Sequence, residues 1–166
     1  MAMREANVLM IIDYLVNHPT YVTQVAEWCC REWPWYYENG DMVAAQKYHL
    51  NTDLIPCALV ALEGDKLAGT ISIIEEDMDV RPNLSPWLGC LFVAPSFRGQ
   101  GVASALIDEG ASVAKRLGLK KMFAWTESLD RLLARKGWDF RETVDYEGRI
   151  ASIYRCDPLN MRSPER

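Results

Sequence analysis

Residues 91–107, LFVAPSFRGQGVASALI, decide how this chain is read. Leu91, Phe92 and Val93 form an apolar run that Pro95 closes, the pattern of a buried strand. Arg98-Gly99-Gln100-Gly101 is a compact polar turn. Beyond it, Val102, Leu106, Gly110, Val113 and Leu117 recur at helical spacing on one face, with Asp108, Glu109, Ser112, Lys115 and Arg116 on the other. The spacing predicts a helix over 101–117, with Lys115 and Arg116 suited to its carbonyl end and Gly118 as its stop. The stretch is therefore strand, glycine-arginine turn, helix.

Such a turn has a chemical use. The first turn of a helix carries N–H groups without intrahelical partners, and the positive end of the helix dipole lies there. An anionic phosphate suits that spot. Glycines let a ligand approach the main chain, and Arg98 adds a planar, permanently charged fork. Residues 98–103 thus read as a pyrophosphate cradle. A Walker A loop is excluded, because no Gly-Lys-Ser/Thr ends the turn. A dinucleotide fingerprint is excluded too: Ser104 stands where its last glycine or alanine belongs, and Lys120 or Lys121 falls near the expected acidic position.

Working outward, 7–15 reads as a strand and 20–33 as a helix limited by Pro34. A second helix is capped by Asn39 or Asp41 and runs to about His49. This front part is rich in aromatics: Trp28, Trp33, Trp35, Tyr36 and Tyr37. From Pro56, CALVALEGDKLAGTISIIEE gives two strands around Glu63-Gly64-Asp65. WLGCLFVAP is the next strand, closed by Pro95. After the glycine turn and its helix, KKMFAWTE is a strand, SLDRLLARKG a short helix, and WDFRETVDYEGRIASIYRCDP a hairpin turning near Glu147-Gly148. The order is strand, two helices, three strands, helix, strand, helix, two strands: an α/β chain with a mixed sheet.

Composition narrows the partners. The 166 residues are 49% hydrophobic and 25% charged, with a net charge of −5. One domain is expected over 1–157, followed by a loose tail at 158–166. The acidic balance argues against nucleic acid and against an anionic membrane surface. No apolar run is long enough to span a bilayer, and MAMREANVLMIIDYLVNHP lacks a cleavage site after its short apolar stretch. Five cysteines without a Cys-x-x-Cys pair fit reduced thiols in a cytoplasmic protein and no metal.

Arg98, Gly101 and Ala103 match the R/Q-x-x-G-x-G/A signature, and with LFVAPSFRGQG before it the segment resembles the core of the GNAT N-acetyltransferases. LLARKGW resembles that superfamily's L-Y-x-x-x-G-F segment, and the element order over 7–156 is similar throughout. The resemblance implies a mostly antiparallel central sheet of six to seven strands, splayed at the middle and flanked by about four helices; a β-bulge near Cys90 to Phe92 would open that gap, and Gly89 is compatible with it. It implies acetyl-CoA as cosubstrate, held by Leu91, Phe92 and Val93 along the pantetheine arm and by Arg98, Gly99, Gln100, Gly101, Val102, Ala103 and Ser104 at the diphosphate. It implies direct transfer of acetyl to a primary amine, with a small molecule as acceptor. A protein amine is the other acceptor class, and a noncatalytic acyl-CoA sensor the other kind of protein.

The acid–base groups are less defined. Acetyl transfer needs a neutral amine, and neutralising a lysine-like amine at pH 7 costs roughly 4 to 5 kcal/mol. The acidic set where a strand meets its loop, Glu75, Glu76, Asp77 and Asp79, supplies bases, with Glu75 and Asp77 foremost; Glu127 is another. Leu133 stands where related enzymes carry the tyrosine that protonates the departing thiolate. Tyr154 or Tyr146, from the last hairpin, or water takes that role. A backbone N–H of Leu91 or Phe92 can serve the developing oxyanion. Cys90 reads as a packed residue and not a nucleophile. Trp33, Trp35, Tyr36 and Tyr37 read as an acceptor pocket or, alternatively, as core or the contact face of a homodimer.

Overall fold

The computed structural model describes residues 8–35, 37, 47 and 49–162. Seven strands form one sheet: β1 (Met10–Tyr14), β2 (Cys57–Glu63), β3 (Lys66–Ile74), β4 (Trp87–Val93), β5 (Met122–Thr126), β6 (Asp139–Tyr146) and β7 (Arg149–Cys156). Their spatial order is β1-β2-β3-β4-β5-β7-β6. Every neighbouring pair is antiparallel except β4–β5. The described residues hold three α-helices: α1 (Val22–Glu32), α2 (Val102–Arg116) and α3 (Asp130–Arg135). That is one fewer than the four expected. The second front helix, its caps Asn39 and Asp41, and Tyr36 lie outside the described residues, apart from the helical Lys47 and the turn at His49. None of the described helices is long and apolar enough to cross a membrane.

Two irregularities in the middle of the sheet position everything that follows. In the β3–β4 ladder, Thr70 pairs with Phe92 but Ser72 pairs with Gly89, so Cys90 and Leu91 together face the single residue Ile71. This is a β-bulge at the position the sequence suggested. Its left-handed residue is Cys90, at φ 54°, and not Gly89. On the other side, β4 and β5 share one register pair, Trp87 with Phe123, next to the hydrogen bond from the Phe123 N–H to the Pro86 carbonyl at 2.9 Å. Beyond it, no further register pair joins these strands among the described residues. The sheet splits there.

The helices cover opposite faces of the split. A side chain at Gly69 would strike Leu106 and Val102, so that face carries α2. Phe92, paired with Thr70 on the other face, packs its ring on Trp28 of α1 at 4.8 Å between centroids. The core follows this division. A large cluster of Val25, Leu59, Ile71, Leu106 and Val113 holds β2–β4 and both long helices together. A smaller one, with Ile74, Met78, Leu84, Trp87, Phe123, Tyr146 and Ile153, packs beside the split. All five cysteines are free thiols.

Candidate active site

The gap between β4 and β5 opens into a cleft of about 790 Å³. Its lining runs from the α2 turn, through the exposed edge of β4, to a group of aromatic and acidic side chains on the α1 face. The two halves are built differently.

The α2 half is made of backbone. Gly99 at φ 74° and Gly101 at φ 82° both sit in the left-handed region, and a Cβ at either would meet nothing within 4 Å. Glycine is required here by the turn's dihedrals, not by crowding. The turn lets α2 begin without a side-chain cap, with Gly101 as N-cap. Its first intrahelical bond comes from the Ala105 N–H to the Gly101 carbonyl at 3.0 Å, which leaves the N–H groups of 102–104 without helical acceptors. Arg98 is exposed; its Nε donates to the Val93 carbonyl at 3.0 Å and its guanidinium lies 5.6 Å from the Phe92 ring centre. The forked end is thereby aimed from a fixed stem. An uncapped amide turn, a steered cation and open space above both glycines fit a diphosphate. The bared edge of β4 fits an amide-bearing arm.

Eight of the ten residues expected at a cofactor line the cleft: Leu91, Val93, Arg98, Gly99, Gly101, Val102, Ala103 and Ser104. Phe92 faces α1, so only its main chain is available. Gln100 is turned back, its Nε2 donating to the Ser96 carbonyl at 3.0 Å.

The α1 half is made of side chains from five separate segments. Asp77, in the loop after β3, is half-buried in the lining. The Trp125 indole Nε1 donates to its Oδ2 at 2.9 Å. Burial pushes the Asp77 carboxyl up from 3.8 to about 7, and the indole bond only partly opposes this. Gly89 makes room for the carboxylate: a Cβ there would lie 2.7 Å from Asp77 Oδ2. The loop that presents Asp77 is pinned on both sides. Met78 and Leu84 are buried, the Trp87 indole donates to the Leu84 carbonyl at 2.7 Å, and Arg81 Nη2 meets Glu142 Oε2 at 2.7 Å.

Tyr146 lines the same space and packs edge-on against Trp125, 5.5 Å between ring centres. Burial, with the negative charges of Asp79 and Asp77 nearby, pushes its phenol up to about 12. Trp33, Trp35 and Tyr37 complete the wall, together with Glu127 and Arg149. Arg149 lies over the Trp35 ring at 4.0 Å and pairs with Glu127 at 3.3 Å.

The expected acid–base residues thus separate. Asp77 is in the cleft. Glu75 is exposed and absent from its lining, as are Glu76 and Asp79. Tyr154 is buried outside the lining, its hydroxyl donating to Asp130 Oδ1 at 2.9 Å and its ring against Phe140. Leu133 is at the cleft wall. Cys90 also lines the cleft, 3.9 Å from the Tyr37 hydroxyl. Its thiol is held protonated by hydrogen bonding with Cys29 and by burial, which disfavours a nucleophilic role. Sequence reasoning missed Trp125 as the donor to Asp77 and Arg149 as the cover of Trp35. The alternation of Phe123 and Trp125 in FAWTE places both rings on one face, which is the one available signal for Trp125.

The comparisons agree with this geometry. The chain matches the acetyltransferase (GNAT) family over residues 22–136, and it belongs to that family. No curated protein matches it in sequence. Among solved structures it is similar to aminoglycoside 6'-acetyltransferase type Ii, at 17% identity and a TM-score of 0.68, over 92% of this chain and 99% of that one. It is similar also to a Salmonella typhimurium protein that carries an acetyltransferase name and was solved with its cofactor acetyl-CoA, at 16% identity and a TM-score of 0.71, over 94% and 98%. A third is an aminoglycoside 6'-N-acetyltransferase complexed with coenzyme A, at 14% identity and a TM-score of 0.65, over 92% and 99%. At these identities the likeness is one of fold.

Proposed function

We propose that the chain is an acetyl-CoA-dependent N-acetyltransferase that moves acetyl directly to the primary amine of a small molecule. Residues 1–157 act as its one domain, with 158–166 as a tail. The observation that carries the reading is the split between β4 and β5, with an amide turn at one mouth and the Asp77 carboxylate at the other. Bound acetyl-CoA supplies an acetyl thioester. The chain would hold its diphosphate on the 99–104 turn beside Arg98 and its arm along the free edge of β4. The fold neighbours that hold acetyl-CoA and coenzyme A support this, and those named for aminoglycosides support a small-molecule acceptor.

Asp77 is placed to take the proton an incoming ammonium must lose. Against an amine pKa of about 10.4, a carboxylate at the usual 3.8 would leave the transfer uphill by about 9 kcal/mol. Raising the carboxyl to about 7 cuts that to roughly 4 to 5 kcal/mol, a cost a working enzyme can carry. The protonated Asp77 is then an acid matched to a thiolate, whose ordinary pKa is about 8.5. Tyr146, at about 12, is a weak acid for that purpose and a good hydrogen-bond donor. The overall proton account is one proton returned to the thiol and one released to solvent. On this reading Asp77, one of the two foremost base candidates, serves also as the acid in place of Tyr154 or Tyr146.

The test is release of free coenzyme A thiol when the chain, acetyl-CoA and a panel of amines are combined. Calorimetry of acetyl-CoA binding runs beside it. Heat of binding without thiol release from any amine would favour the acyl-CoA sensor instead.

A further inference from the structure

The acceptor half of the cleft carries information about the amine itself, given the transferase reading above. Its wall includes Trp33, Trp35, Tyr37, Trp125 and Tyr146 around one half-buried carboxylate, Asp77. Four of these rings are already held. Trp125 is tied to Asp77, Tyr146 is packed on Trp125, Trp35 lies under Arg149, and the Tyr37 hydroxyl sits against Cys90. The slot is formed before anything enters it, so little ordering cost falls on binding.

The charges are as telling as the rings. Glu127 is neutralised by Arg149, and Arg149 is itself engaged by Glu127 and the Trp35 face. Glu32 is exposed at the rim. Among the described residues that line the aromatic slot, Asp77 is the one carboxylate that is neither exposed nor ion-paired, and Arg149 is already paired with Glu127. A ligand with several ammonium groups would bury charges without partners there, and a ligand with a carboxylate would find its natural fork occupied. One ammonium on a flat apolar body satisfies every group in the slot: the ammonium on Asp77, the body between the rings.

We infer that the acceptor is an arylalkylamine-type monoamine, not a polyamine or an aminoglycoside. Purified chain with acetyl-CoA is assayed for thiol release with 2-phenylethylamine, butylamine, spermidine and kanamycin. The expected result is a kcat/KM for 2-phenylethylamine at least tenfold above each of the others. In Trp35→Ala that preference over butylamine narrows severalfold, through KM and not kcat. Preference for spermidine or kanamycin would overturn the inference while leaving the transferase reading intact. To separate the two in the other direction, amine binding is measured by tryptophan fluorescence on chain loaded with coenzyme A, where no reaction occurs. Selective binding of 2-phenylethylamine with no turnover of any amine would support the slot and sink the transferase; equal binding of 2-phenylethylamine and butylamine would sink the slot.

Discussion

The two mouths of the cleft are built by opposite means. At the α2 mouth the work is done by main-chain amides within seven consecutive residues, 98–104, and glycine matters there for its dihedrals. At the α1 mouth it is done by side chains from α1 and the segment after it, the β3–β4 loop, β4, β5 and the β6–β7 hairpin, and Gly89 matters for the space it leaves. A contiguous, backbone-built site tolerates most changes that keep its turn. An assembled, side-chain-built site fails one residue at a time. On the proposed reading, binding of the cosubstrate and turnover of the acceptor should therefore come apart under mutation.

The largest effect should come from Asp77→Asn. Loss of the proposed base is expected to lower kcat by about 10²–10⁴-fold, with acetyl-CoA affinity by calorimetry unchanged. In the wild type, kcat/KM should rise with pH through an ionisation near 7, the value to which burial carries Asp77, and the variant should lose that limb. The same substitution tests stability with a definite sign. The folded-state pKa of Asp77 lies above its ordinary 3.8, so the cost of ionising it is absent below about pH 4 and complete above about pH 7. Asp77→Asn should gain on the wild type in urea unfolding as pH rises across that window, by up to about 4 kcal/mol. A constant difference from pH 4 to 8 would mean that burial does not hold this carboxyl up.

Arg98→Glu addresses the other mouth. Reversing an exposed charge beside the amide turn should weaken acetyl-CoA by about 100-fold or more, in a salt-dependent way, and leave the unfolding midpoint within error. Unchanged affinity would remove the turn from the binding site. A smaller effect is expected from Gly89→Ala, whose new methyl would crowd Asp77 Oδ2 at 2.7 Å. A destabilisation of about 1–3 kcal/mol by denaturant unfolding is expected, with cosubstrate affinity spared. The finest test is Trp125→Phe. Removing the indole donor takes away a bond that favours the ionised carboxylate, so the pH–rate midpoint should move upward by about one unit. A downward move would contradict the assignment of that bond.

The same contrast explains what could be read from the sequence. Arg98-Gly99-Gln100-Gly101 and the periodic Val102–Leu117 face are local signals, so strand, turn and helix were all legible; the bulge near Cys90 followed only from the resemblance. The β-strands on either side followed from alternation and from the turns at Gly64 and Gly148. The acceptor half was not legible as a constellation. Asp77 was one of four neighbouring acids with nothing local to single it out; its distinction is the Trp125 indole, 48 residues away, and a missing Cβ on the opposite strand. Tyr146 and Tyr154 were equivalent on the same hairpin, and only the fold turns one to the cleft and ties the other to Asp130. Gly89 was legible as compatible with the bulge, which lies beside it with Cys90 as its left-handed residue; the room it leaves for Asp77 was not legible.

The single Trp87–Phe123 pair has a mechanical corollary. The main-chain ladder joins the two halves of the sheet at one pair, with core side chains packed across it, and a molecule laid along the free edge of β4 would act as the missing stitching between them. Occupancy at 100 times the dissociation constant should add about 2.7 kcal/mol to unfolding. Amide exchange should slow most along 88–93 and 122–126, the two margins of the seam, so that the cosubstrate behaves as an eighth, removable strand of the enzyme that consumes it.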